Sequence, residues 1–396
     1  MLEQVISNKA DWTRVSFGDV VRLSKLRAKD PEAEGYERVV GLEHIEPGDL
    51  RIRRWADIAD GTTFTSVFKP GQVLFGKRRA YQRKVAVADF EGVCSGDIYV
   101  LEPSTDALMP ELLPFICQTD AFFDHAVGTS AGSLSPRTNW KSLAGFEFLL
   151  PPTQEQARLV DCFKALESAS QALRNLRIAT ENGFKSACIA FGREILSDPT
   201  LPRHRLDEVG ELILGRQRSP KYQTGLHTVP YLRVANVYDG FITTDDILEM
   251  DFDKVDYPKY LLRRGDVLLN EGQSRELVGR SAIFNDEVQN CCFQNTLIRF
   301  RSEKVLPAFA HAFFRYMLYS GRFVEISSQT SSIAHVGLGR LKAVEISLPP
   351  MESQKRKIEH IAALEAQATA TRTREQELSA VFRRVSREEF GGAPTS

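Results

Sequence analysis

No stretch of this 396-residue chain stays apolar long enough to cross a bilayer, which takes about 20 consecutive residues. Its first dozen residues, MLEQVISNKADW, include Glu3 and no hydrophobic run, so a cytoplasmic protein without a secretory leader is expected. Cysteine is scarce and poorly spaced for ligation. Cys94, Cys117, Cys162, Cys188, Cys291 and Cys292 form no C-x-x-C pair, which argues against a zinc knuckle or disulfide framework and for reduced thiols. The seven histidines show neither H-x-x-x-H nor H-x-H spacing, so no metal site is expected. There is no G-x-x-x-x-G-K-[ST] loop, and the GLGR that starts at Gly337 lacks the third glycine of a dinucleotide loop. Asp266 and Glu271 lack the lysine of a nuclease-type D…E-x-K cluster. Both double prolines follow leucine, not the acid or asparagine of an amino-methyltransferase motif. No catalytic residue is therefore nominated. Positive charge is also not in excess: 51 Lys and Arg face 52 Asp and Glu, a net charge of -1. That excludes a uniformly basic coat, although nucleic-acid binding needs only a local basic surface. What remains is an ordinary globular composition, 42% hydrophobic and 26% charged, long enough for two or three domains.

What the chain does contain is itself, twice. AGFEFLLPPTQEQARLV (144–160) and KAVEISLPPMESQKRKI (342–358) align at an offset of 198, with Pro151 and Pro152 on Pro349 and Pro350. Phe146, Phe148 and Leu150 fall on Val344, Ile346 and Leu348, an alternation that reads as a strand burying one face. The prolines end that strand, because they offer no N–H to a ladder. A long helix should follow in each half. Thr153 and Gln156 have capping-box spacing, whereas the second copy has Met351 at the capping position and a less well specified start. Apolar or small residues then recur at Leu159, Cys162, Leu166, Ala169, Leu173 and Leu176. In the second helix they recur at Ile361, Leu364, Ala368, Thr371, Leu378 and Phe382, with Glu375 interrupting. Such stripes suit antiparallel helix-on-helix packing; alternatively each helix covers its own domain.

Upstream of each helix lie roughly 140–150 residues with strand-like runs and turn residues. VSFGDVVRL from Val15 resembles LDEVGELIL from Leu206. PGQVLFGK from Pro70 matches RGDVLLNE from Arg264, and GDIYVLEP from Gly96 matches NTLIRFRS from Asn295. The segment 198–203, with two prolines, is the expected boundary between halves.

This order, a variable domain, an LPP-x-x-x-Q junction and a long helix, all repeated, resembles the specificity subunits of Type I restriction-modification systems. GLEHIEPG from Gly41 and GKRRAYQRKVAVADFEGVCSGDIYVL from Gly76 are also similar to that family's recognition domains. The resemblance implies an α+β fold of two pseudo-repeated mixed α/β target-recognition domains joined by two long antiparallel helices, a coiled-coil-like spacer. The divisions are a segment 1–13, a first recognition domain 14–150, a helix region 151–197, a second recognition domain 198–348, a helix region 349–390 and a tail 391–396. It implies that the chain reads a bipartite, asymmetric site in double-stranded DNA with an unread gap. It further implies docking of two adenine-N6 methyltransferase subunits and of restriction (translocase) subunits, with no membrane partner. S-adenosylmethionine, ATP and magnesium would sit on those partners and no cofactor on this chain. A DNA-acting enzyme with a divergent active site, a nuclease or methyltransferase, is the alternative. Ser353 stands where the family's P-P-x-x-E-Q pattern has glutamate, which leaves the second docking junction less certain.

The DNA-contact candidates are read from residue chemistry. Between Lys69 and Lys84 there are six basic residues and no acid, and Lys77, Arg78, Arg79, Tyr81, Gln82, Arg83 and Lys84 form a basic turn. Arginine can bridge guanine O6 and N7, glutamine can bridge adenine N6 and N7, and lysine neutralises phosphate. A solvated basic hairpin is the bland alternative. The equivalent stretch of the second half, 270–280, offers Asn270, Gln273, Ser274, Arg275 and Arg280. A loop before each LPP strand adds Arg137 and Asn139 in the first half and Ser328, Gln329 and His335 in the second, where ordinary turn chemistry is the competing account.

Overall fold

The computed structural model describes residues 9–219, 223–329 and 333–390. The chain divides into two compact units, Met1–Arg174 with Arg374–Ser396, and Asn175–Thr373. Each unit contains one recognition region and a part of both long helices, Thr153–Ser197 and Met351–Phe390.

The two units repeat the same antiparallel four-stranded sheet. In the first its order is Val21–Leu23, Ile98–Pro103, Val73–Gly76 and Val85–Val87; in the second it is Glu211–Leu214, Leu297–Arg301, Val267–Asn270 and Ser281–Ile283. Val73 lies opposite Leu101 and Val267 opposite Phe300, so segments that match in sequence hold equivalent places in the two sheets. A glycine with positive φ precedes each central strand, Gly71 at 86° and Gly265 at 91°, so the tight turn there needs a residue without Cβ. The turn is locked the same way in both. Gln72 Oε1 accepts from Lys69 N at 2.8 Å, and Asp266 Oδ2 accepts from Arg263 N at 2.8 Å. The turn residue's second bond differs in kind: Gln72 donates to Glu102, whereas Asp266 pairs with Arg301 at 2.6 Å. In the match of the opening segments the structure shifts the register, setting Phe17 rather than Val15 against Leu206. Both follow the first junction strand and both are fully buried.

The LPP junctions repeat to the residue. The strands Glu147–Leu150 and Glu345–Ser347 begin 198 apart, as do the helices at Thr153 and Met351. Gln156 and Gln354, both 1% exposed, each make three bonds. Gln156 accepts from Met109 N at 2.8 Å and donates to Ala107 O at 2.7 Å and Pro151 O at 2.9 Å. Gln354 accepts from Leu306 N at 2.9 Å and donates to Lys304 O at 3.0 Å and Pro349 O at 3.1 Å. The capping box expected at Thr153 is thus corrected. Pro152, the residue before the helix, has no N–H to receive a glutamine side chain, and Gln156 is engaged with a neighbouring loop instead. Met351 consequently loses nothing. Ser353 keeps an arginine partner but not the charge, accepting from Arg356 at 3.2 Å where Glu155 pairs with Arg158 at 2.6 Å.

The helix stripes are buried unevenly. In the first unit Leu159 and Phe163 are fully buried, and Phe163 packs on Phe115, Phe382 and Phe390. In the second, Phe184, Cys188, Phe191 and Ile195 form the buried face with Ile361. Ala169 and Leu176, expected in the seam, are exposed, whereas Ala368 and Thr371 near the middle of the second helix are buried. Nearer the middle of the helices the pairs are ionic: Arg174 with Glu375 at 3.8 Å in the first unit, and Arg372 with Glu181 at 2.8 Å in the second. In the second unit the pairs Glu181–Arg372 and Glu194–Lys357 run antiparallel.

Replacing Gln156 or Gln354 with Ala should lower stability by about 1–3 kcal/mol for each buried group left unpaired, to a similar extent at both positions. Urea unfolding midpoints measure this; a loss at one junction only would end the equivalence. His311 supplies a pH test. Burial first, then the charge of Arg315, pushes its imidazole down to about 4 while Nε2 bonds Ser281 O at 3.0 Å. Its unfolded value is near 6.5, so the unfolded chain takes up a proton first. The stability it contributes is complete above about 6.5 and is lost as pH falls toward 4. A His311→Gln variant should show a flatter unfolding profile across that window.

Candidate nucleic-acid interface

In the first unit the basic turn leaves the central strand at Gly76 and folds over a short 3-10 helix, Ala80–Gln82. Arg79 and Arg83, on either side of it, both take left-handed backbone, with φ 53° and 55°. For arginine that conformation costs energy, so the surrounding bonds must hold it. They come from the loop before the LPP strand: Arg79 N donates to Pro136 O at 2.7 Å and Thr138 N to Lys77 O at 3.0 Å, while Arg78 bridges Arg137. The two separately nominated loops are therefore one surface.

Its charge is organised by Asp97. Arg78 Nη1 reaches Asp97 Oδ2 at 3.2 Å and Arg137 Nε reaches Oδ1 at 2.8 Å. Burial alone would raise the Asp97 carboxyl, but hydrogen bonds from Arg137 and Arg78 outweigh it and hold the group below the usual carboxylate range. Arg78 and Arg79 both donate to Ser135 Oγ, at 3.1 and 3.2 Å. Lys77 lies over the Tyr99 ring at 4.7 Å; burial, with the nearby charges of Arg137 and Arg27 adding, depresses its ammonium despite Asp97. Tyr81 is exposed and Gln82 half-buried. Three candidates serve the fold. Arg83 pairs with Asp120 at 2.7 Å and stacks on Phe123, Lys84 donates to Leu42 O at 2.6 Å, and Asn139 accepts from Ser142 N at 2.9 Å, capping Trp140–Ala144.

The second unit repeats the juxtaposition with other side chains. Gly272–Gln273, Ala334–His335 and Ser328–Gln329 form a small antiparallel sheet, which brings the two nominated loops together again. His335 Nδ1 lies 2.9 Å from Glu271 Oε2, and Arg340 bonds Ser328 Oγ at 3.0 Å. Ser274 is half-buried, Arg275 is exposed, and the side chain of Gln329 lies outside the described residues. Asn270 is fully buried, donating to Val237 O at 3.2 Å, so it holds the frame instead of facing solvent. Arg280 stacks over Tyr238 at 4.5 Å.

Sequence reasoning missed Asp97, Ser135 and Tyr238. Asp97 and Ser135 lay inside quoted segments, but nothing local marks them as partners of Arg78. Among the described residues no group of three or more His, Cys, Asp or Glu is placed to hold a metal ion. Among the same residues no helix is long and apolar enough to cross a membrane. All six cysteines are unpaired with one another, and burial pushes the Cys94, Cys188, Cys291 and Cys292 thiols up to about 12.

The family model of the Type I restriction modification DNA specificity domain matches residues 203–380. That stretch, 178 of the 396 residues, is similar to the Type I DNA specificity domain. The matched stretch holds the second junction, the Gly265 turn and the paired loops of the second unit. The specificity subunit of the Type I restriction enzyme EcoDI from Escherichia coli is 29% identical over 154 residues, 38% of this chain. The match spans 33% of that relative's own length. A chain solved in work on complex assembly and conformational transition of the type I R-M system superposes with a TM-score of 0.59 at 20% identity. That match covers 95% of this chain and 97% of its own. The Type-I restriction-modification S subunit from M. genitalium gives 0.57 at 11% identity, with 98% of each chain covered. At such identities the likeness to the solved chains is one of fold, and it extends over both repeats of the chain.

Arg79→Ala and Arg137→Ala should weaken duplex binding and lower its logarithmic salt slope by about 0.9 for each phosphate no longer neutralised. Their cost in stability should stay within about 1 kcal/mol, as for one exposed ion pair at Arg137 and one hydrogen bond to a hydroxyl at Arg79. Lys84→Ala should do the reverse, lowering the unfolding midpoint. Fluorescence-anisotropy titrations across a salt series, with thermal melts alongside, separate the two; an unchanged slope in Arg79→Ala and Arg137→Ala would move the DNA surface elsewhere.

Proposed function

We propose that this chain is the non-catalytic, DNA-reading subunit of a Type I restriction-modification complex. Each unit reads one half of a bipartite, asymmetric site in double-stranded DNA, and the bases between the halves go unread. The observation that carries this reading is the recurrence of one loop pair on two copies of one frame with different side chains. Arg78, Arg79 and Arg137 form the first set; Gln273, Arg275 and His335 belong to the second. Two readers of one sequence would have no need to differ, and a scaffold without sequence preference would need no base-reading groups. Arginine, glutamine and lysine are the side chains that match base edges and phosphates.

Two adenine-N6 methyltransferase subunits dock on the long helices, and restriction subunits join that core. S-adenosylmethionine, ATP and magnesium belong to those partners, and the complex works in the cytoplasm. The helices set the gap. One added turn in both would lengthen them by about 5.4 Å, against about 3.4 Å per base pair.

The test is to methylate a random DNA library with the assembled complex and sequence what is modified. Changing Gln273 or Arg275 should alter preference in one half-site alone, by about 1–3 kcal/mol at an affected base pair. Adding a turn to both helices should lengthen the gap and leave both half-motifs as they were. Half-motifs that change with helix length, or a site without a fixed gap, would sink the proposal, as would methylation by the purified chain on its own.

A further inference from the structure

Among the described residues, one exposed feature of the second unit has no counterpart at the equivalent turn of the first. Tyr238 and Phe241 stack face to face, with ring centroids 5.0 Å apart and an 8° angle between planes, yet they are 38% and 50% exposed. The Arg280 guanidinium sits 4.5 Å from the Tyr238 ring. The turn that carries them is the equivalent of 46–49 in the first unit. Both turns follow the same local bond, Arg233 N to Asn236 Oδ1 at 3.1 Å and Gly41 N to His44 Nδ1 at 2.9 Å, and both contain a left-handed glycine, Gly240 and Gly48. The first turn has Glu46, Pro47 and Asp49 where the second has Tyr238, Asp239 and Phe241.

The aromatic turn is held rigidly. Asp239 between the rings accepts from Arg315 at 3.0 Å and from the Tyr319 hydroxyl at 2.5 Å, and Arg315 also pairs with Glu365 at 2.7 Å. Asn270 ties Val237 O to the central strand, and Gly240 N donates to Ser281 O at 3.0 Å. Buried polar atoms beside it, Asn270 Oδ1, Arg280 Nε and Ser281 Oγ, have no partner among the described residues, which in a packed interior is unusual. Next to the turn, Asp239 and Arg280 also line a hollow of about 360 Å³ with Lys185, Glu276, Leu277 and Tyr319.

We propose that Tyr238 and Phe241 form a stacking platform for one unstacked nucleobase of the second half-site, with Asn270 and Asp239 as positioning residues for the turn. This rests on the DNA-reading function above. A rigid, half-exposed aromatic pair beside a guanidinium fits a base, whose π face stacks on rings and whose neighbouring phosphates attract the cation. A purely apolar partner would not call for the arginine. An exposed pair left idle would have no need of a buried ionic anchor.

The test uses the complex of this chain with its methyltransferase subunits and duplexes carrying the full site. Phe241→Ala and Tyr238→Ala should each weaken binding about tenfold, in the range of one base–aromatic stack. The salt slope should stay unchanged, because every phosphate remains neutralised as before. Phe241→Trp should retain affinity, whereas Phe241→Leu, equally apolar but without a π face, should not. With 2-aminopurine scanned through the second half-site, one position should change fluorescence on binding, and Phe241→Ala should abolish that response. Equal binding by Phe241→Leu and the parent would overturn the proposal, as would Phe241→Ala complexes that fail to assemble, which would make the pair a protein-docking surface. If the parent complex itself shows no sequence preference for its duplexes, the DNA-reading function fails; if the parent reads its site and only the aromatic variants are silent, the platform alone does.

Discussion

Each long helix starts directly after two prolines, and such a junction strands backbone groups that only a side chain can satisfy. Gln156 and Gln354 do this by binding the carbonyl behind the helix and both a carbonyl and an N–H of a separate loop. One buried amide thereby fixes the helix start to the recognition sheet on its own unit. An unpaired buried polar group costs about 1–3 kcal/mol, a large share of the few kcal/mol that separate folded from unfolded chains. The identical geometry in both copies, despite Thr153 in one and Met351 in the other, identifies the glutamine as what the junction requires.

On that frame the units diverge where the loops face outward. Inward positions keep their role even when chemistry changes: the Gln72–Glu102 bond and the Asp266–Arg301 pair close the same turn. Outward positions keep neither role nor charge. In the first unit Asp97 and Ser135 hold three arginines in place; in the second a small sheet and an aromatic turn occupy the surface. Side chains ordered before contact lose less entropy on binding, so selectivity does not have to be won against loop disorder.

The repeat, the strand–helix junctions and the matching segments of the central sheets were legible because each rests on short-range rules, alternation, proline chemistry and glycine turns. Helix burial was only half legible. Ala169 and Leu176 fit the stripe by spacing, but whether a spaced residue is covered depends on what lies opposite it, which spacing does not encode. The site divided similarly. That the loops are polar and basic could be read; that Arg78 meets Arg137 across 59 positions, or that Asn270 points its amide at Val237, could not. Asn270 is a candidate by its place in the stretch equivalent to the basic turn, yet its amide donor serves a buried backbone carbonyl equally well.

The division of the chain also sets an order of events at the ribosome. Asn175–Thr373 is continuous, whereas the other unit is completed only by residues from Arg374 onward. Its core includes Val385 and Phe390, packed with Phe163 and Trp12. At about 5–20 residues per second, the stretch between Arg174 and Arg374 takes roughly 10–40 s to synthesise. Through that interval Phe163 and Leu159 lack their final covering, so the unit begun first is the last to close.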